Sequence, residues 1–261
     1  MATPKSNFID RFVDDLQTLG LRNNSVLLVH SSLKSFGIVP GGAETIIQGL
    51  IQAIGDRGTL LMPALSYQSV RSANPNFDLR QTPSCVGLIP ESFRTRSGSL
   101  RSLHPTHSVC GIGPLAEEIL GKHQNDNTPC GPHSPFHLLP KFDGQILMLG
   151  CGLNPNTSMH AIEEIFKPPY LFGSPTIYTL TDRNGRTYQK EYNPHNFKNT
   201  DQRYERVAKV LFAPYLKVGF VANAKTHLIE TKALWNKVIA TALTDPLYFV
   251  DQHEIISPHE R

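Results

Sequence analysis

The stretch from Gln145 to Glu164, Q-I-L-M-L-G-C-G-L-N-P-N-T-S-M-H-A-I-E-E, decides how this chain folds. Ile146 to Leu149 is an apolar run of strand length, and Gly150, Gly152, Asn154 and Pro155 turn the backbone after it. Asn156 or Thr157 can cap a helix, because a short side-chain oxygen accepts from a free first-turn amide. Nothing from Ser158 to Lys167 breaks that helix before Pro168 and Pro169 close it. On it Thr157, His160, Glu163 and Glu164 share one face, so the imidazole has a hydroxyl below it and a carboxylate above. His and Glu three apart are often only a solvated pair. Here, however, the helix starts on a loop leaving a strand's carboxyl end, where α/β proteins bind ligands, and the pair reads as a base with its orienter.

Upstream, Ser25 to His30 is a second buried strand, running into Ser31-Ser32-Leu33-Lys34-Ser35-Phe36-Gly37. A loop of small hydroxyl residues and glycine after a strand can turn amides and hydroxyls toward an anionic or amide-rich ligand. Pro40-Gly41-Gly42 precedes an amphipathic helix from Ala43 to Ile54, and Gly58 to Pro63 is the next strand. This β-α-β unit implies a right-handed crossover and parallel strands, hence an α/β fold. Leu65 to Ser84 is a long polar loop, a form that usually binds or covers something. Gly87 to Arg94 reads as a short helix, Val109 to Ile112 as a strand, and Leu115 to His123 as a helix opened by Gly113-Pro114. Ser134-Pro135 can start a turn of helix.

Downstream, Thr176 to Leu180 and Gly185 to Tyr192 flank Asn184-Gly185, a strong hairpin signal that adds antiparallel structure. Asp201 to Lys217 repeats apolar residues, Tyr204, Val207, Ala208, Leu211 and Tyr215, near helical spacing. One strand around Phe220 to Ile229 and a helix from Lys232 to Leu243 complete a single domain, 1–261.

Composition excludes several classes. With 39% apolar and 18% charged residues the chain is globular, and no apolar run reaches the roughly 18 residues of a membrane span. The N-terminal segment lacks a signal-peptide core, so a cytoplasmic location with free thiols at Cys85, Cys110, Cys130 and Cys151 is expected. A net charge of +3 without a basic stripe does not suggest nucleic acid. Gly111 to Ala116 fits a loose dinucleotide fingerprint, but no acidic residue ends the next strand to hold a ribose. His104-x-x-His107-x-x-Cys110 with Cys130-x-x-His133 could supply zinc to a hydrolase. The histidines read better as structural and the cysteines as core, so no metal is expected.

Several segments together resemble the aminoglycoside 3-N-acetyltransferase family. They are His30-Ser31-Ser32-Leu33, Gly41-Gly42-Ala43, Gly58 to Pro63, Phe77-Asp78 with Thr82-Pro83-Ser84, Arg101-Ser102 with His104-Pro105 and Ser108, Ser134-Pro135, and Thr157-x-x-His160-x-x-Glu163. They occur in the family's order from about Ser25 to Glu164, with a looser match beyond. The resemblance implies an acetyl-CoA dependent N-acyltransferase with a three-layer α/β/α fold around a mostly parallel mixed sheet. It places coenzyme A against Ser31, Ser32, Leu33, Lys34, Phe36 and Gly37, with Ser108 and Thr157 near the thioester. His160 would be the general base and Glu163 would hold its other ring nitrogen. The partners implied are acetyl-CoA and a small-molecule amine, an aminoglycoside or related amino sugar. Between Leu65 and Ser108 the acids are only Asp78 and Glu91, against Arg71, Arg80, Arg94, Arg96 and Arg101. That balance favours an anionic amino sugar over a polycation as the acceptor.

Overall fold

The computed structural model describes residues 3–253. In chain order the strands are β1 (Val26–Ser31), β2 (Thr59–Pro63), β3 (Asn76–Asp78), β4 (Leu100–Arg101), β5 (Val109–Ile112), β6 (Gln145–Leu149), β7 (Thr176–Thr181), β8 (Thr187–Tyr192), β9 (Thr200–Gln202), β10 (Leu216–Val221), β11 (Ala224–Glu230) and β12 (Val250–Gln252). The helices are α1 (Pro4–Leu19), α2 (Gly42–Ile54), α3 (Leu88–Thr95), α4 (Ala116–Leu120), α5 (Pro135–Leu138), α6 (Ser158–Phe166) and α7 (Thr231–Thr244).

Seven strands form the central sheet in the order β10-β11-β6-β1-β2-β5-β4. β6, β1 and β2 run parallel, and antiparallel pairings flank that trio on both sides. Because side chains alternate across a strand, Leu27 and Val29 of β1 pack under α1, α2 and α3 with Phe12, Ile46, Ile47 and Phe93. Val26 and Leu28 pack on the opposite face with Met159 and Ile162 of α6 and Leu234 and Val238 of α7. Both faces are covered, which explains why β1, β2 and β6 read as unbroken apolar runs. A separate sheet, β3-β7-β8, carries the Asn184-Gly185 hairpin beside the main one. The long loop after β2 is therefore not wholly irregular, since Asn76 to Asp78 pairs with β7.

Two sequence expectations fail locally. Asp201 to Lys217 is not one helix but β9, a 3-10 helix over Tyr204–Lys209 and the start of β10. Phe220 to Ile229 is not one strand but the end of β10, a turn at which Ala222 adopts a positive φ of 49°, and most of β11. In each case backbone groups find distant partners that override periodicity. The Tyr204 amide donates to Asn154 Oδ1 at 3.0 Å and the Ala222 amide to Asp15 Oδ2 at 2.7 Å.

Candidate active site

The parallel strands β1, β2 and β6 end along one edge of the sheet, where the chain passes from β1 to β2 on one side and later returns to place β6 on the other. Ligands in open α/β sheets bind at such a reversal. A cavity of about 720 Å³ lies there, lined by His30 and Ser31 from β1, Pro63 from β2, and Cys151, Asn154 and Thr157 from the loop after β6. His107, His160, His195 and Tyr204 complete its polar wall. None of the described residues lining it is Asp, Glu, Lys or Arg.

Local chemistry builds the β6 loop. Gly150 sits at a φ of 72°, and a Cβ there would overlap the Ser35 hydroxyl, so both conformation and space demand glycine. Asn156 Oδ1 accepts from the Ser158 amide at 3.1 Å, so it caps α6. Thr157 makes no side-chain cap bond and instead lines the cavity.

His160 projects from the first turn of α6, but its orienter is not simply Glu163. The direct approach of Nδ1 to Glu163 Oε2 is 3.4 Å, whereas the Tyr204 hydroxyl lies 2.7 Å from each of those atoms. Burial and the neighbouring Glu163 push the Tyr204 hydroxyl well above its ordinary pKa, so it stays protonated. Its single proton goes to the carboxylate, and its oxygen is left to accept from His160 Nδ1–H. Tyr170 donates to the other carboxylate oxygen at 3.0 Å. The relay Glu163, Tyr204, His160 thus fixes the imidazole as the Nδ1–H tautomer, with the Nε2 lone pair free.

A second buried carboxylate organises the opposite wall. Glu164 accepts from Thr128 Oγ1 at 2.5 Å, the Cys130 amide at 2.7 Å and His195 Nε2 at 2.7 Å. His195 Nδ1 is buried and has no hydrogen-bond partner among the described residues. His107 Nδ1 lies 2.9 Å from Thr106 Oγ1. Burial holds both His107 and His195 well below the ordinary histidine pKa, so they are neutral.

The residues expected against coenzyme A divide. Ser31 and Thr157 line the cavity, and the Ser31 hydroxyl is unpartnered among the described residues. Ser32, Leu33, Lys34 and Gly37 form the turn outside its lining, with the Ser32 amide bonded to the Leu149 carbonyl at 3.0 Å and Lys34 exposed. Phe36 is 2% exposed and packs on Phe12, which ties the turn to the core. Ser108 also lies outside the lining. Its fully buried hydroxyl donates to the Ala64 carbonyl at 2.8 Å and accepts from Arg101 Nε at 2.8 Å.

The zinc pattern does not assemble. Cys110 belongs to the core on the α2 face of the sheet and Cys130 to the core on the α6 face, so they cannot share an ion. His104 Nδ1 accepts the Thr106 and His107 amides, and His133 Nδ1 meets Asp126 at 2.8 Å. Sequence reasoning missed Tyr204 and His195, which come from segments remote from α6, and Tyr170, four residues beyond its end; none carries a local motif.

Residues 28–242 match the family model described as aminoglycoside 3-N-acetyltransferase. Aminoglycoside N(3)-acetyltransferase IX of Micromonospora chalcea is 33% identical, the match covering 88% of this chain and 91% of that protein. Aminoglycoside N(3)-acetyltransferase IV of a Salmonella species is 32% identical over 93% of this chain and 90% of its own. Among solved structures, a histidine-to-alanine mutant of aminoglycoside acetyltransferase AAC(3)-IVa in complex with apramycin superposes with a TM-score of 0.75 at 28% identity, covering 92% of this chain and 93% of that one. By sequence and architecture the chain belongs to the aminoglycoside 3-N-acetyltransferase family and is an acetyl-CoA dependent N-acetyltransferase.

Proposed function

We propose that this enzyme transfers the acetyl group of acetyl-CoA directly to an amine of an aminoglycoside or related amino sugar, with His160 as general base. The observation that carries the reading is the Tyr204 bridge, which leaves the Nε2 lone pair as the uncommitted atom of a pinned imidazole. An alkyl ammonium must lose a proton before it can attack a thioester, and a histidine can accept it directly or through one water. The amine nitrogen then bonds to the acetyl carbon, the carbon–sulfur bond breaks, and coenzyme A leaves as thiol or thiolate. As His160 becomes imidazolium, the Tyr204 oxygen and the Glu163 carboxylate behind it stabilise the positive charge. Thr157 on the cavity wall is positioned to donate to the oxyanion of the tetrahedral intermediate.

Two thiols line the cavity, and neither is activated. Burial pushes the Cys151 thiol up to about 12 and also raises Cys85, so an acyl-cysteine route has no ready thiolate. This favours a ternary complex over a covalent intermediate.

The acceptor's charge has to be judged from the cavity rather than from the arginine count. The arginines that made the sequence look basic are outside the lining, so within this cavity they lend an anionic sugar no support. Uncharged walls over the buried carboxylates Glu163 and Glu164 suit an amino sugar.

The test is thiol release from acetyl-CoA with a panel of aminoglycosides and of neutral and phosphorylated amino sugars. His160→Ala should lower kcat about 100-fold or more, with coenzyme A affinity within about twofold of wild type. Full turnover by that variant would remove the base assignment.

A further inference from the structure

Three histidines of the cavity do more than one base requires. His107, His160 and His195 each present a ring nitrogen, and these atoms all lie within 4.8 Å of one another. Their rings pack with centroids 5.2 to 6.2 Å apart. In each ring one nitrogen is already held by an oxygen: Thr106 Oγ1 for His107 Nδ1, the Tyr204 hydroxyl for His160 Nδ1, and Glu164 for His195 Nε2. What remains for the cavity is one lone pair per ring. That is the arrangement of a nitrogen metal centre, in which a second shell of hydroxyls and carboxylates orients each imidazole and raises its basicity. The His195 side chain, 3% exposed, has its Nδ1 without a partner, a buried polar atom that costs free energy unless something meets it.

We propose that His107, His160 and His195 bind one divalent transition-metal ion of zinc's chemistry, and that the bound ion inhibits acetyl transfer. Zinc takes imidazole nitrogen at about 2.0 to 2.1 Å in tetrahedral geometry, which sets neighbouring ligands roughly 3.4 Å apart. Binding an ion would draw the three ring nitrogens, now within 4.8 Å of one another, to that spacing. Three neutral nitrogens make a site whose fourth position faces the cavity, where water or a thiolate completes the shell. Coordination consumes the Nε2 lone pair of His160, so the ion and the attacking ammonium compete for one electron pair. The inhibitory half rests on His160 being the base; metal binding itself does not.

The experiment uses the tag-free full chain stripped of metal by chelation. Zn²⁺ is titrated in calorimetrically, with Co²⁺ as an optical probe whose visible bands are intense only when four-coordinate. We expect one ion per chain, and about a 100-fold or greater loss of affinity in His195→Gln and in His107→Gln, since losing even an outer partner costs 10- to 100-fold. Zn²⁺ should raise the melting temperature of wild type but not of the variants, by mass action on the folded state. Circular dichroism and retained coenzyme A binding establish that the variants fold. Acetyl transfer should disappear with the same midpoint as zinc binding. Absence of stoichiometric binding up to millimolar Zn²⁺, or unchanged affinity in both variants, overturns the site. Stoichiometric binding with full turnover overturns the inhibition alone. Failure of the metal-free enzyme to acetylate any acceptor counts against the function, while the calorimetric arm still decides the site.

Discussion

Two polar regions of this molecule use their side chains in opposite ways. At the carboxyl edge of the sheet, His160, His195 and Ser31 each leave a polar atom uncommitted inside a cavity of about 720 Å³. Around the β7–β8 hairpin, a smaller cavity of about 460 Å³ is lined by Arg101, Arg183 and Arg186, and shares no lining residue with the first. There the charges are largely spent on the fold. Arg101 is 6% exposed and donates to the carbonyls of Leu79, Thr82 and Ala64 and to Ser108 Oγ. Arg94 grips Glu91, Arg96 pairs with Glu44, and Arg183 reaches Glu117 at 3.4 Å. A count of charges along the sequence points to the arginines; a count of unspent atoms points to the imidazoles.

Acid should separate the two regions most strongly. Burial lowers His30, on the cavity wall, and His123, whose ring stacks on His104, each to about 3. The folded protein holds both rings neutral while the unfolded chain protonates them near 6.5. Their contribution is therefore constant above about pH 6.5 and is lost as pH falls from there toward 3. At pH 5 each has given up about 2 kcal/mol relative to pH 7. Urea midpoints at pH 7, 6 and 5 should fall accordingly, and His123→Asn should flatten the slope. A pH-independent midpoint over that range would mean the rings are not buried as described.

Arg101→Ala should cost about 3 kcal/mol or more, because four acceptors lose their donor inside the protein. Lysine should not restore it, since one ammonium cannot serve acceptors spread along a planar fork. Loss of activity should track loss of folded protein, with kcat per folded molecule unchanged. A folded variant with impaired turnover would move Arg101 into the reacting site and blur the contrast.

Tyr204→Phe probes the other side at smaller scale. Without the hydroxyl, His160 Nδ1 has only the 3.4 Å approach to Glu163, and the ring loses the partner that fixes its tautomer. We expect kcat to fall about 10-fold and the pH profile of kcat to shift, with KM for acetyl-CoA nearly constant. A purely structural tyrosine would leave the pH profile in place.

Much of this was legible locally. The β6 loop and α6 follow from an apolar run, two glycines, an asparagine cap and a Pro-Pro stop within about 25 residues, and the hairpin follows from Asn184-Gly185. The Ser134 cap was likewise readable, since its Oγ accepts from the His137 amide at 3.1 Å. Tyr204 was not. It stands 44 residues from His160 and looks like one apolar position in a helical repeat, until Asn154 takes its amide and Glu163 its hydroxyl. For Ser108 the sequence was silent on its partner, because a hydroxyl in a motif says nothing about whether a carbonyl such as that of Ala64 already holds it. Among the described residues no helix is long and apolar enough to cross a membrane, as the hydropathy suggested.

The smallest expected effect is the sharpest test of the contrast. Arg183 and Arg186 are exposed, and a surface pair such as Arg183 with Glu117 contributes about 0 to 1 kcal/mol. Replacing both by alanine should change stability by about 0.5 kcal/mol or less and leave KM for the acceptor within about twofold. If instead the enzyme selected an anionic sugar through this shelf, losing two cations would raise that KM about 10-fold or more. The wild-type KM would then also climb steeply with salt, since exposed charges more than about 10 Å apart are screened at 0.1 M. Flat KM values in the double variant and across salt would confine recognition to the imidazole-lined cavity, where the atoms left over by folding are the ones available for chemistry.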